Sequence, residues 1–115
     1  MKQPKYRAKK TEFNGIMYDS KKEASRAKTL EYFQEIKLIS GLQRQVKFNW
    51  IETHQIGKDF KETINFKRSY IADFVYFDHE KKIEIVEDVK GFRTTEYLKK
   101  KKIVEKLFNI KINEI

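Results

Sequence analysis

The stretch Ile83-Glu84-Ile85-Val86-Glu87-Asp88-Val89-Lys90-Gly91 begins as an apolar β-type run and ends in acid, acid, valine, lysine and glycine. Side chains alternate faces along a strand, so Val86, Asp88 and Lys90 share one side while Ile85, Glu87 and Val89 share the other. A carboxylate and an ammonium therefore emerge together at the end of a strand that should be buried. Charges go into an interior only when they are paired, bind a metal or have a task.

A second strand-like run lies just upstream, Tyr70-Ile71-Ala72-Asp73-Phe74-Val75-Tyr76-Phe77, and holds an isolated acid, Asp73. Asp73 lies five residues before Asp78, and Asp88 six residues after Lys82. The connection Asp78-His79-Glu80-Lys81-Lys82 is short, which predicts antiparallel neighbours with the two carboxylates within a residue or two of each other. Adjacent carboxylates repel, and a divalent cation between them is one remedy. The other is an ion-paired cluster, Asp88 with Lys90 or Asp73 with Arg68. Hard oxygen donors without His or Cys suit Mg2+ or Mn2+ better than zinc. In the metal reading Lys90 holds the attacking water or stabilises charge developing on a phosphate.

Working outward, Asn14-Gly15 is the favoured pair for a two-residue hairpin turn and predicts a β-hairpin over Thr11 to Tyr18. Ser20-Lys21-Lys22-Glu23 has capping-box spacing and opens a helix to about Ile36, with Ala24, Ala27, Leu30, Phe33 and Ile36 as its buried stripe. Glu23 is thus a candidate either for capping or for catalysis. Ser40-Gly41 is expected to end that element, and the alternation of Val46, Phe48 and Trp50 with Gln45, Lys47 and Asn49 predicts a half-buried strand. Glu52 to Lys61 is polar and predicts a loop or hairpin tip, with Ile64 and Phe66 beginning the next strand. His54 and His79 are expected as exposed loop residues. A helix is predicted over about Thr95 to Phe108, broken at Asn109, with an alternating final strand from Ile110 to Ile115. On that helix Tyr97, Lys100, Lys101, Val104, Leu107 and Phe108 share a face. Lys100 and Lys101 either snorkel from it or reach toward the strand end at Lys90 to contact a phosphate.

The order is hairpin, helix, three strands, helix, strand, an α/β or α+β layer with a mixed sheet and flanking helices. The 115 residues make one domain over 11–115 behind a basic arm, 1–10, and nine Phe, six Tyr and one Trp supply core bulk. A net charge of +9 argues for a polyanionic partner, nucleic acid before an anionic membrane or simple solubility. Arg7, Lys9 and Lys10 in the arm are either a solvated tail or a phosphate-tracking segment, and Gln45 and Arg93 join the DNA-binding candidates. The absence of cysteine excludes disulfides, thiolate zinc sites and cysteine catalysis. No run approaches the ~20 apolar residues that cross a bilayer, and no apolar segment follows the basic start as in a signal peptide. The expectation is a soluble, cytoplasmic protein with no membrane partner.

Ala72-Asp73-Phe74 followed by Val86-Glu87-Asp88-Val89-Lys90-Gly91 resembles the PD-(D/E)XK nuclease superfamily, and the α-β-β-β-α-β order over Ser20 to Ile115 is similar to its restriction-endonuclease-like core. More narrowly, Lys5-Tyr6-Arg7, Phe13-Asn14-Gly15-Ile16 and Tyr18-Asp19-Ser20-Lys21-Lys22-Glu23-Ala24 look like segments of its small phage-encoded members. Phage-type endonuclease I and Holliday-junction resolvases are more distant relatives. The resemblance implies a metal-dependent endonuclease hydrolysing DNA phosphodiesters, with branched or junction DNA in phage DNA processing or recombination as the substrate expectation and a symmetric homodimer as the assembly. It makes Asp73 the first metal ligand, Asp88 the second and the Val89 carbonyl the third, with Lys90 activating water and Glu23 as the helix-borne acid. Two departures stand out: Ala72 replaces the signature proline, and Asp88 stands where Glu is commoner, with Glu87 beside it. Strand parity favours Asp88 because Glu87 faces away from Lys90. The rival is a non-catalytic, basic nucleic-acid-binding protein on a nuclease-like fold.

Overall fold

The computed structural model describes residues 9–89 and 93–115. Arg7 of the basic arm, Lys90 and Gly91 lie outside the described residues. The N-terminal hairpin pairs β1 (Thr11–Phe13) with β2 (Ile16–Tyr18) through Asn14 and Gly15, whose φ values of 55° and 80° are the two left-handed conformations a type I′ turn needs. Helix α1 (Lys21–Glu35) follows, capped by the Ser20 hydroxyl, which accepts from the Glu23 N–H at 3.0 Å. Then come β3 (Ile39–Ile56), β4 (Glu62–Asp78), β5 (Ile83–Asp88), α2 (Thr95–Phe108) and β6 (Ile112–Glu114).

The main sheet has the order β3-β4-β5-β6, antiparallel between the first three and parallel between β5 and β6. This is the expected mixed α+β arrangement. Helices cover both faces of its central part. On one face Ala24, Ala27 and Leu30 of α1, with Tyr18, pack on Ile39, Phe74, Tyr76 and Ile85. On the other, Tyr97 and Val104 of α2 pack on Tyr70, Ala72, Val75, Val86 and Ile112. Coverage on both sides explains why β5 has apolar residues at consecutive positions instead of a strict alternation.

Four expectations need correction. Ile36 is 46 % exposed, because it is the C-cap of α1 with non-helical ψ, so the buried stripe stops a turn earlier. On α2 only Tyr97 and Val104 are buried, and Leu107 is 58 % exposed because the three-residue β6 gives the last turn little to pack on. Ser40-Gly41 does not end the helix, which stops at Glu35: it lies inside β3, with a register shift between Ser40 and Gln43 and φ of +63° at Gly41. Of the stretch from Glu52 to Lys61 only 57–61 is a hairpin tip; Glu52 to Ile56 is strand, since β3 and β4 stay paired out to Ile56↔Glu62. Cross-strand side chains hold it: Thr53 donates to Asn65 at 2.8 Å, Arg68 to Glu52 at 2.7 Å, and the His54 ring meets Phe66 edge-on. His54 is therefore a strand residue, while His79 sits in the β4–β5 turn as expected. Polarity there marks a ribbon wet on both faces. That ribbon projects beyond the helices and raises the radius of gyration to 17.5 Å, against about 13 Å for a compact chain of this length. Among the described residues no helix is long and apolar enough to cross a membrane.

Helix α1 is tied to β5 by one buried ion pair. Arg26 donates from Nε and Nη2 to the two Glu87 oxygens at 2.8 and 2.5 Å, and the Tyr76 hydroxyl donates to Glu87 as well. Glu87 is 1 % exposed, so removing the guanidinium leaves an uncompensated interior charge. Arg26→Met is expected to lower unfolding free energy in urea by about 3 kcal/mol, and Arg26→Met with Glu87→Leu by less than the single change. A double variant less stable than Arg26→Met would show that the pair is not what couples α1 to the sheet.

Candidate functional site

Continuing the β4–β5 register one step past Phe74↔Glu87 sets Asp73 opposite Asp88. On the β3 side, Gln45 stands opposite Asp73, between the pairs Arg44↔Phe74 and Val46↔Ala72. Both strands change sides at this point. Arg44 lies over the Tyr18 ring and Phe74 packs toward α1, whereas Val46 and Ala72 pack toward α2. The switch runs through Gln45, whose φ of 55° is a left-handed conformation costing a non-glycine residue on the order of 1 kcal/mol. Asp73 thus sits where the two helical layers part.

The first turn of α1 brings Glu23 to the same place. Gln45 Nε2 donates to Glu23 Oε1 at 3.2 Å and approaches Asp73 Oδ1 at 3.5 Å. Glu23 is 5 % exposed, and Ser20 caps its backbone N–H, so its carboxylate faces the cluster from within a capped helix end. Asp73 Oδ2 accepts from the Val89 N–H at 2.7 Å. Asp88 is fully buried and accepts from the Tyr70 hydroxyl, while the parity argument holds for its neighbour: Glu87 is on the opposite face, occupied by Arg26 and Tyr76. Three carboxylates, Glu23, Asp73 and Asp88, therefore converge with Val89, and Lys90 follows immediately in sequence.

Burial pushes the Asp73 carboxyl up to about 7; the Val89 N–H opposes this, and the charges of Asp88 and Glu23 with a hydrogen bond shared with Asp88 reinforce it. Burial and like charge both disfavour the ionised form of a carboxyl, which is the direction of this shift. Every side-chain donor in the cluster is a hard oxygen, which fits Mg2+ or Mn2+ and not zinc. Among the described residues no three His, Cys, Asp or Glu side chains already stand in an arrangement that could hold a metal ion.

The remaining candidates separate. Lys101 reaches Glu114 at 3.6 Å, and Glu114 is the β6 register partner of Asp88; Arg93 pairs with Glu114 as well, at 3.2 Å. Lys100 pairs with Glu96 at 3.9 Å and lines a cleft with Tyr70, Ile71 and Tyr97, at the base of the ribbon. Gln45 faces the acids instead of an open groove. Arg68 engages Glu52, not Asp73. Lys9 and Lys10 are exposed ahead of the hairpin. Sequence reasoning missed Tyr70 and Tyr76, whose hydroxyls hold Asp88 and Glu87; the signal available was that a buried strand tyrosine needs a partner for its O–H.

Asp73 titrates near 3.8 when unfolded and about 7 when folded, so between these values the native state binds the extra proton. That contribution to stability is full below the lower value and lost as pH rises through the upper one. The metal-free protein is expected to melt at lower temperature at about pH 8 than at about pH 6, with Asp73→Asn flattening the difference. An identical slope in the variant would remove Asp73 as its source.

Residues 3–115 match the model of a family described as "Protein of unknown function (DUF1064)". No curated protein and no solved structure matches the chain.

Proposed function

Because the chain belongs to the DUF1064 family, whose function is unknown, its activity has to be argued from its own residues, and we propose that it is a metal-dependent DNA endonuclease of the PD-(D/E)XK type. The observation that carries this reading is the convergence of Glu23, Asp73 and Asp88 where the two helical layers part, with the Asp73 carboxyl raised by burial and, less, by the neighbouring acids. The helix, three strands, helix and strand in a mixed sheet support it, being the order a restriction-endonuclease-like core requires. So does the net charge of +9, suited to a phosphate polymer.

In this reading Asp73, Asp88 and the Val89 carbonyl would hold a Mg2+ or Mn2+ ion, which would supply Lewis-acid polarisation of the phosphate. The chain's own groups do the rest. The Val89 N–H and the Tyr70 hydroxyl fix one oxygen each of Asp73 and Asp88, leaving the orientation of each carboxylate set before a ligand arrives. Gln45 holds Glu23 against the pair, where its carboxylate orients water or adds to the cation's ligands. Lys90, two residues after Asp88, activates the attacking water and offsets charge on the phosphate. Lys101, at Glu114 beside Asp88, lies closer to this chemistry than Lys99 on the outer face of α2. A symmetric homodimer would present two such sites to two strands, the arrangement that junction or branched DNA calls for.

The test incubates the protein with supercoiled, linear and four-way-junction DNA in Mg2+, Mn2+ or EDTA. Cutting is expected with either metal and absent in EDTA. Asp73→Ala, Asp88→Ala and Lys90→Ala should each lose at least about a hundredfold in rate, and Lys101→Ala more than Lys99→Ala. Absence of cutting on every substrate, with DNA binding retained by the acid-to-alanine variants, would establish the non-catalytic binding protein instead.

A further inference from the structure

The β3–β4 ribbon has two faces of different chemistry. Cross-strand partners from Lys47↔Ile71 to Gln55↔Thr63 join odd-numbered residues to odd, so all of these project on one side. That side carries Lys47, Asn49 and Thr53 on β3 with Asn65, Lys67 and Ser69 on β4, and no acidic residue at any odd position from 47 to 55 or 63 to 71. All are exposed except the half-buried Ser69. The acids of the ribbon strands, Glu52 and Glu62, are both on the even side, where Glu52 neutralises Arg68 at 2.7 Å. Charge is thus segregated by strand parity.

The acid-free side also has a direction. Its inner end meets Gln45 and Asp73, the point at which the strands change sides, so the face begins beside the carboxylate cluster. Helix α1 does not cover it: Glu23 in the first turn meets Gln45, and Gln34 near the last turn accepts from the Leu42 N–H, so the helix runs away from the ribbon. At about 3.3 Å per strand residue, the face extends roughly 26 Å from Asp73 to Asn65. That length corresponds to about seven or eight base pairs of duplex.

We propose that this face of the ribbon is a DNA-binding arm that lies along the duplex flanking the cleaved bond, with Lys47 and Lys67 on phosphates and the Asn and Thr side chains on the groove. A two-stranded ribbon fits the major groove, and amide and hydroxyl side chains are suited to hydrogen-bond base edges or sugar–phosphate oxygens there. The placement relative to the cut rests on the nuclease reading; the DNA contact itself does not.

Binding of a duplex of about 25 base pairs is measured by fluorescence anisotropy in EDTA, where no cutting occurs, over a salt series. Lys47→Gln with Lys67→Gln is expected to weaken binding roughly tenfold and to make the log–log salt slope shallower by about two. Arg68→Ala, on the opposite face, should leave both unchanged. Affinity and slope unaltered in the lysine double variant would overturn the arm, as would an equal loss from Arg68→Ala. A change in oligomeric state with DNA affinity intact would assign the face to a second copy and equally overturn it. Because the chain has no cysteine, Asn65→Cys can carry a single photocrosslinker, expected to mark DNA about seven base pairs from the cut. Failure to cut under any condition defeats the nuclease reading without touching the binding result, so the two failures are distinguishable.

Discussion

Glu23, Asp73 and Asp88 repel one another, and the fold has to hold them together against that repulsion. It does so with neutral donors. The Val89 N–H takes one oxygen of Asp73, the Tyr70 hydroxyl one of Asp88, and the Gln45 amide one of Glu23. None of these removes net charge, and burial together with the neighbouring acids pushes the Asp73 carboxyl up to about 7. The Arg26–Glu87 pair operates on the far face of β5 and fixes the distance between α1 and the strand that bears Asp88. One strand thereby uses two successive acids in opposite ways. Glu87 is neutralised and structural; Asp88 is left among its own kind.

Much of this was visible in the residues. Asn14-Gly15, the Ser20 cap, the αL break at Asn109 and the antiparallel pairing of the two acid-bearing strands follow from local stereochemistry and from a short turn, both properties of neighbouring residues. Strand parity alone separated Asp88 from Glu87. What stayed hidden depends on partners distant in sequence. Gln45 has the composition of a polar strand residue, and only its place opposite Asp73 makes it the link between Asp73 and Glu23. The ribbon looked like a loop because it is exposed on both faces, with Ile51, Ile56, Ile64 and Phe66 scattered among polar residues, and a pattern rule tuned to half-buried strands has little to detect there. Ile36 and Leu107 fit their helical stripes, yet a stripe predicts burial only where another element lies beneath it.

The side-switch at Gln45 and Asp73 divides the sheet structurally. Inward of it the strands are sandwiched between helices and serve as core. Outward of it Val46, Tyr70 and Ala72 still pack toward α2, and beyond them the same two strands are solvated. A single pair of residues marks the boundary, and the candidate site sits on it.

The ribbon's other consequence concerns the order of assembly. Its pairs close from Ile56↔Glu62 outward in sequence, each adding a small loop to one already formed, while Arg26–Glu87 spans 61 residues. Chain-closure entropy therefore favours zipping of the hairpin before the helix docks. Zipping in register delivers Gln45 to Asp73 with no help from the core. The β4–β5 turn is equally short, so Asp88 meets Asp73 by a local closure too, and Glu23 is the acid that joins from a distance when α1 docks.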